Sequence, residues 1–256
     1  KMMEAILSGE GDVATVNYDA LLPLAAQKRD VAAFLFLAKR PGSVLASLRL
    51  DSVTALRGAI IGIPGPGSSS HHLLNAILRK AGIEPDRVST TAVGVSAGAV
   101  AAVSQGKVDA AMLTNLGLST LRLKHPDIRI LADLRTPEGS LRYLGGEEYP
   151  SLCLAARRAW LESNRETARR FAQAFLKANQ WMSQHTPQQI RDALPEQARS
   201  SGSTADLEAI RGMLPTLDTQ GGVPEQALRT VLNVVQASVP QVRESPLDLS
   251  STYFAP

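Results

Sequence analysis

Apolar and polar positions along the chain fall into blocks that spell strand, helix, strand. Residues 31–37 form a near-continuous apolar run, the pattern of a strand buried on both faces. Arg40-Pro-Gly42 breaks it, and residues 44–50 are extended again. A further strand at 59–63 runs into Pro64-Gly-Pro-Gly-Ser-Ser-Ser70. Beyond that loop Leu73, Leu74, Ile77, Leu78 and Ala81 recur at the helical period, so 71–81 is predicted helix, closed by Gly82. Upstream, residues 12–16 make a short strand, and Asn17-Tyr18-Asp19 opens a helix over 21–27. Strands at 88–93, 108–113 and 128–134 alternate with helices at 97–105 and 116–124. The second half differs. A strand at 152–156 leads to a long helix over 165–184, followed by helical segments near 187–198, 204–214 and 224–238. Pro187, Pro195, Pro215 and Pro224 punctuate these segments. Strand–helix alternation with a helical tail predicts an α/β fold with covered, parallel sheets.

Residues 1–8 read as the middle of a helix, with Met2, Met3, Ile6 and Leu7 on one stripe and Gly9 as its stop. No cap or signal peptide opens it, so the native N-terminus is expected to lie upstream. At 256 residues the chain is one large or two modest domains. Its composition, 44% hydrophobic, 20% charged and 4% aromatic, is globular. Lys+Arg of 27 against Asp+Glu of 24 gives a net charge of +3 with scattered arginines, too weak a field for a nucleic-acid binder. The single cysteine, Cys153, excludes an internal disulfide and a Cys-based zinc site. No stretch reaches the ~18 apolar residues of a membrane-spanning helix.

Two features carry candidate chemistry. The first is an internal echo: Ser8-Gly-Glu-Gly-Asp12-Val-Ala resembles Gln105-Gly-Lys-Val-Asp109-Ala-Ala at a fixed offset, 106 − 9 = 97 and 109 − 12 = 97. In each copy a helix ends on Gly and an Asp starts a short strand. The strands stop at polar clusters, Asn17-Tyr18-Asp19 and Thr114-Asn115. In open α/β sheets, ligands sit beyond the carboxyl ends of strands, where helix N-termini offer N–H groups. The second feature is the Pro64–Ser70 loop, whose glycines permit close backbone approach and whose hydroxyls stand where a helix N-terminus attracts an anion. Its spacing fits neither a Walker loop nor a dinucleotide fingerprint.

Leu56-Arg-Gly-Ala-Ile-Ile-Gly-Ile-Pro-Gly-Pro-Gly-Ser-Ser-Ser-His-His, then Ala81-Gly-Ile and Ala101-Ala-Val-Ser-Gln-Gly-Lys-Val-Asp-Ala-Ala111, resembles the solute-binding proteins of ABC importers, in their nitrate/sulfonate/taurine branch. Leu247-Asp-Leu-Ser-Ser-Thr-Tyr253 is similar to that group's closing segment. The resemblance implies a two-lobed periplasmic-binding-protein type 2 fold, mixed and mostly parallel sheets flanked by helices, shared with thiamine-pyrimidine proteins. Its lobes would be 1–44 with 151–256, and 45–150, hinged at Pro41-Gly42 and Gly145-Gly146. Family members begin with a further strand and helix, which the resemblance implies are absent here. It also implies a periplasmic or lipid-anchored monomer without cofactor, whose partners are a small solute and a membrane permease with its cytoplasmic ATPase. The solute would be anionic (sulfonate-, nitrate- or taurine-like) or aromatic-anionic.

The candidate ligand residues are Asn17, Tyr18, Ser68, Ser69, Ser70, His71, Thr114 and Asn115. Each has a structural alternative. One serine suffices to cap the helix, Tyr18 suits packing, and Asn115 suits a cap. His71 and His72 diverge by about 100° on a helix and do not readily share a metal. Cys153 reads as a small buried hydrophobe. With no triad, acid–base pair or metal set, binding without catalysis is expected. The alternative is an enzyme on the same fold, desulfinase-like or thiamine-pyrimidine synthase-like, which would need a cleft cysteine or a cofactor-bearing lysine with a metal-binding histidine.

Overall fold

The computed structural model describes residues 2–199 and 203–255, so Lys1, the expected start of the first helix, lies outside the described residues. The strands are β1 (Val13–Asn17), β2 (Val31–Phe36), β3 (Ser43–Ser47), β4 (Ile60–Ile63), β5 (Ser89–Ala92), β6 (Ala110–Thr114), β7 (Arg129–Asp133) and β8 (Leu152–Arg157). The helices are α1 (Met2–Ser8), α2 (Leu21–Ala26), α3 (Ser69–Lys80), α4 (Ala97–Ser104), α5 (Asn115–Lys124), α6 (Pro137–Leu144), α7 (Arg158–Ser163), α8 (Arg165–Ser183), α9 (Pro187–Ala193), α10 (Ser203–Met213), α11 (Glu225–Gln236) and α12 (Pro240–Arg243). Helices α6, α7 and α12 are additions to the sequence reading. Around α6, Pro137 and Gly139 look like breakers, yet Pro137 occupies the first turn and Thr136 caps it through the Gly139 N–H at 3.0 Å. Among the described residues no helix is long and apolar enough to cross a membrane.

The chain divides into two compact units. Unit 1 comprises the chain up to Pro41, Gly146–Gln184 and Leu217 onward, and unit 2 comprises Gly42–Gly145 and His185–Thr216. The stretch 185–216, expected with the first lobe, therefore belongs to unit 2. There α10 packs along α5 and α9. It buries Ala205 and Ile210 and is tied to α9 by the Arg191–Asp206 ion pair at 3.1 Å. An amphipathic helix records that it has an apolar face, not which partner covers it.

In unit 1 the three-stranded sheet has the order β1-β8-β2, with both ladders antiparallel. All of β2 is buried, as its apolar run requires. Cys153 sits on the central strand, opposite Val16 on one side and Phe36 on the other. In unit 2 the five-stranded sheet has the order β5-β4-β6-β3-β7. Strand β4 pairs in parallel with β5 and β6, whereas β3 runs antiparallel between β6 and β7. The sheets are thus mixed, but antiparallel ladders are commoner than strand–helix alternation suggests. Strand β3 is the one by which the chain first enters unit 2 and β8 the one by which it returns to unit 1, and no crossover helix within the unit sets their direction.

The 97-residue echo (106 − 9) is built into both units. Gly9 and Gly106 end their helices at φ 86° and 65°, left-handed values that suit glycine at a helix C-terminus. Asp12 pairs with Arg157 at 3.1 Å, while Asp109 accepts the Ile60 N–H at 2.8 Å and pairs with Arg49. Both aspartates hold the start of a strand against its neighbours, so the repeated residues are structural and only the strand ends remain as candidate chemistry.

Candidate functional site

Strand directions in unit 2 place the site. With β3 opposed to both β6 and β7, strands β4, β5, β6 and β7 all run the same way. Their carboxyl ends share one edge of the sheet, and α3, α4, α5 and α6 begin just beyond them. Helix N-termini present N–H groups and partial positive charge, so this edge is suited to an anion.

Each helix start is locally explained. Gly67, at φ 73°, turns the chain out of the Pro64–Gly67 loop, a conformation that glycine adopts without strain. Ser68 is then extended, and its hydroxyl accepts the His71 N–H at 3.3 Å, making it the N-cap of α3. Ser69 and Ser70 follow in the first turn, half-buried. On β6, Thr114 rather than Asn115 is the cap, accepting the Gly117 N–H at 3.2 Å. Ser96, before α4, makes no side-chain cap bond.

Asn115 has another task. Its Oδ1 accepts from Arg135 Nη1 at 3.1 Å. Arg135 in turn donates Nε and Nη2 to the two oxygens of Asp133 at 2.8 and 2.6 Å. The register makes this reach short: Ser43 of β3 faces Thr114 on one side, and Val44 faces Asp133 on the other. Gly212 of α10 closes over the pair, since a Cβ there would come within 2.6 Å of Asn115 Oδ1 and 2.7 Å of Arg135 Nη1. Arg135 escaped the sequence reading. It is a guanidinium held in one orientation by a bidentate carboxylate at an edge that favours anions.

His71 Nδ1 accepts the Gly67 N–H at 3.1 Å, so the neutral ring carries its proton on Nε2. Its ring lies nearly parallel to that of His72, with centroids 6.4 Å apart and 13° between planes. Among the described residues no group of three metal-ligating side chains forms around them. Burial holds both imidazoles below the ordinary histidine range, and the neighbouring His72 adds to this for His71. Because the folded values lie below the unfolded value near 6.5, their contribution to stability is complete above that pH and is lost as pH falls through the window beneath it. Acidification from pH 7.5 to 5.5 is therefore expected to lower the melting temperature. A His71→Gln/His72→Gln variant should show a shallower decline, and an equal decline in both proteins would assign the effect to other groups.

Of the eight candidates, Ser68, Ser69, Ser70, His71, Thr114 and Asn115 lie at this edge of unit 2. In unit 1, Asn17 ends β1 exposed, at the start of the short turn of helix that precedes α2. Tyr18 is turned into the core of unit 1. It is 0% exposed, its ring meets the edge of Phe36 at 5.1 Å, and its hydroxyl is 2.5 Å from Thr252 Oγ1. Thr252 gives its own proton to Leu249 O at 2.6 Å, so Tyr18 is the donor and its phenol is satisfied within the core. In this structure its ring and hydroxyl serve packing within unit 1, the structural alternative weighed for it.

The model of the NMT1/THI5-like family matches residues 1–190. The chain belongs to this family. The fold is that of the periplasmic binding proteins. A Bordetella bronchiseptica RB50 protein structure superposes at TM-score 0.86 with 28% identity, covering 99% of this chain and 80% of that one. The alkanesulfonate-binding protein SsuA of Xanthomonas axonopodis pv. citri, bound to MOPS, matches at 0.74 with 17% identity, over 99% of this chain and 84% of that one. The periplasmic aliphatic sulphonate-binding protein SsuA of Escherichia coli matches at 0.73 with 20% identity, over 100% and 79%. Comparison with curated protein sequences finds no match.

Proposed function

We propose that this chain is the solute-binding component of an ABC importer, acting outside the cytoplasmic membrane on a small anionic solute of the sulfonate, nitrate or taurine kind. The observation that carries the reading is the shared edge in unit 2, where four helices start beyond four co-directional strands beside Ser68–Ser70, Thr114 and the Asn115–Arg135–Asp133 array. Membership of the NMT1/THI5-like family supports it, as do the sulfonate-binding proteins of like fold. In this reading the helix N-termini and serine hydroxyls of unit 2 hold the anionic group. A solute shifts the chain toward whichever arrangement it binds more tightly, by its differential affinity for that arrangement. A membrane permease with its ATPase then receives the solute.

Turnover is no part of the proposal. Cys153, the one thiol available as a nucleophile, is 0% exposed, and burial followed by the charge of Asp19 pushes its thiol well above the ordinary range. A nucleophilic cysteine needs access and a setting that favours thiolate. The test is a thermal-shift panel of taurine, ethanesulfonate, benzenesulfonate, nitrate and bicarbonate. At 100 times its Kd, a bound anion adds about 2.7 kcal/mol to the stability of the folded state. A panel without any shift would overturn the reading. Cys153→Ser should bind the same anion with unchanged affinity and lose about 1–3 kcal/mol of stability to a buried hydroxyl. Anion turnover that disappears in this variant would establish an enzyme instead.

A further inference from the structure

Helix α8 lies wholly in unit 1, yet one of its side chains reaches the segments by which the chain passes between units. Asn179 is 5% exposed, and its amide donates both hydrogens: to Leu37 O at 2.9 Å and to Asp218 O at 2.7 Å. Leu37 directly follows β2, shortly before the passage at Pro41 and Gly42, and Asp218 follows the passage at Thr216 and Leu217. These two segments already touch. Ala38 and Leu217 form an antiparallel bridge, and the Asp218 N–H donates to Leu37 O at 3.0 Å. A third of the four passages, the one after Gly145, runs alongside, while the fourth follows Gln184 just beyond α8. Tyr149 N–H donates to Lys39 O at 2.9 Å, Ser151 N–H to Ala38 O at 3.0 Å, and Ser151 Oγ to Arg40 O at 2.9 Å. Next along α8, Gln180 Nε2 donates to Thr219 O at 3.0 Å.

The choice of asparagine follows from this geometry. A side-chain amide of this length supplies two donors from one nitrogen to two main-chain carbonyls without burying a charge. Aspartate would set a charge against both oxygens, and leucine would leave buried carbonyls short of a partner.

We propose that Asn179, assisted by Gln180, is a positioning residue for solute capture: it ties two of the four passage segments together, a third being joined to the first by its own bonds, and the set so formed limits the arrangements open to the two units. This rests on the solute-binding reading above. Apparent affinity scales with the fraction of molecules in a binding-competent arrangement, so loosening the set weakens binding although no group that touches solute has changed.

The experiment measures that restraint without solute. Spin labels are placed at Glu162→Cys in unit 1 and Lys124→Cys in unit 2, both exposed positions, whereas native Cys153 is buried. Asn179→Leu and Gln180→Ala are then compared with the otherwise native labelled protein. Gln180 is exposed, so its variant should melt close to the parent and keeps the test available if Asn179→Leu does not fold. A broader distance distribution in either variant that still melts cooperatively is the expected result. An unchanged distribution in every variant that folds would overturn the proposal. In parallel, ethanesulfonate affinity should fall about 3-fold to 30-fold, the usual range for residues that modulate coupling from outside a site. If ethanesulfonate does not bind the native protein, the choice of solute fails while the distance measurement still decides the role of Asn179.

Discussion

Gly139→Ala is expected to destabilise unit 2 by about 3 kcal/mol or more, a cost placed at the upper end of overpacking effects by the nature of the neighbour it meets. A Cβ at 139 would overlap the carbonyl oxygen of Asp133, and Thr136 Oγ1 would lie 3.1 Å away. Main chain at the end of a strand cannot swing aside as a flexible side chain can. Relief therefore requires α6 to lift away from β7. That movement would disturb the Thr136 cap and the Asp133 carboxylate that orients Arg135. Gly98 repeats the device two helices earlier, in α4, where an added Cβ would overlap the Val93 carbonyl oxygen beyond β5. Removal of the cap alone, by Thr136→Ala, should cost only about 1 kcal/mol. In calorimetry a 3 kcal/mol loss in a chain of this size corresponds to a drop of about 6–12 °C in Tm. A Gly139→Ala protein melting within a degree or two of the parent would mean that α6 is not seated on the strand end.

How much of this was legible beforehand divides along local and non-local lines. The apolar run that became β2, the capped start of α3 and the glycine stops at 9, 82 and 106 depend on residues close in sequence, and pattern reading reaches them. Arg135 does not announce itself in Leu134-Arg-Thr-Pro. Its place beside Asn115 exists because β3 inserts antiparallel between β6 and β7, and strand order is not written in the period of any single strand. Between packing and ligand contact, the sequence around Tyr18 does not choose, for the same reason. A polar cluster at a strand end looks like ligand chemistry until Thr252, far along the chain, supplies the acceptor for its hydroxyl. The segment 185–216 has helical signals of its own, but the surface it covers, α5, belongs to a distant stretch. Asn179 reads as one more polar residue on a long amphipathic helix, and only the folded positions of Leu37 and Asp218 give its amide two partners.

The serines of the α3 loop should separate folding from binding by position. Ser68 is the cap, so Ser68→Ala removes the acceptor for the His71 N–H and should cost about 1 kcal/mol of stability. Ser69 and Ser70 are already inside the helix. Alanine is the stronger helix former there, so the double change Ser69→Ala/Ser70→Ala should leave the melting temperature nearly unaltered. Its effect on anion binding should be far larger. A hydrogen bond to a charged group is worth about 1.5–3 kcal/mol, so losing the two hydroxyls should weaken affinity about 10-fold to 100-fold even if one bond is partly replaced by water. Isothermal titration with the anion that gives the greatest thermal shift distinguishes the cases. Unchanged affinity in the double variant, beside a lowered melting temperature in Ser68→Ala, would reduce the loop to a helix start. The anion would then have to be sought at the α5 and α6 starts, where Asn115 and Arg135 already converge.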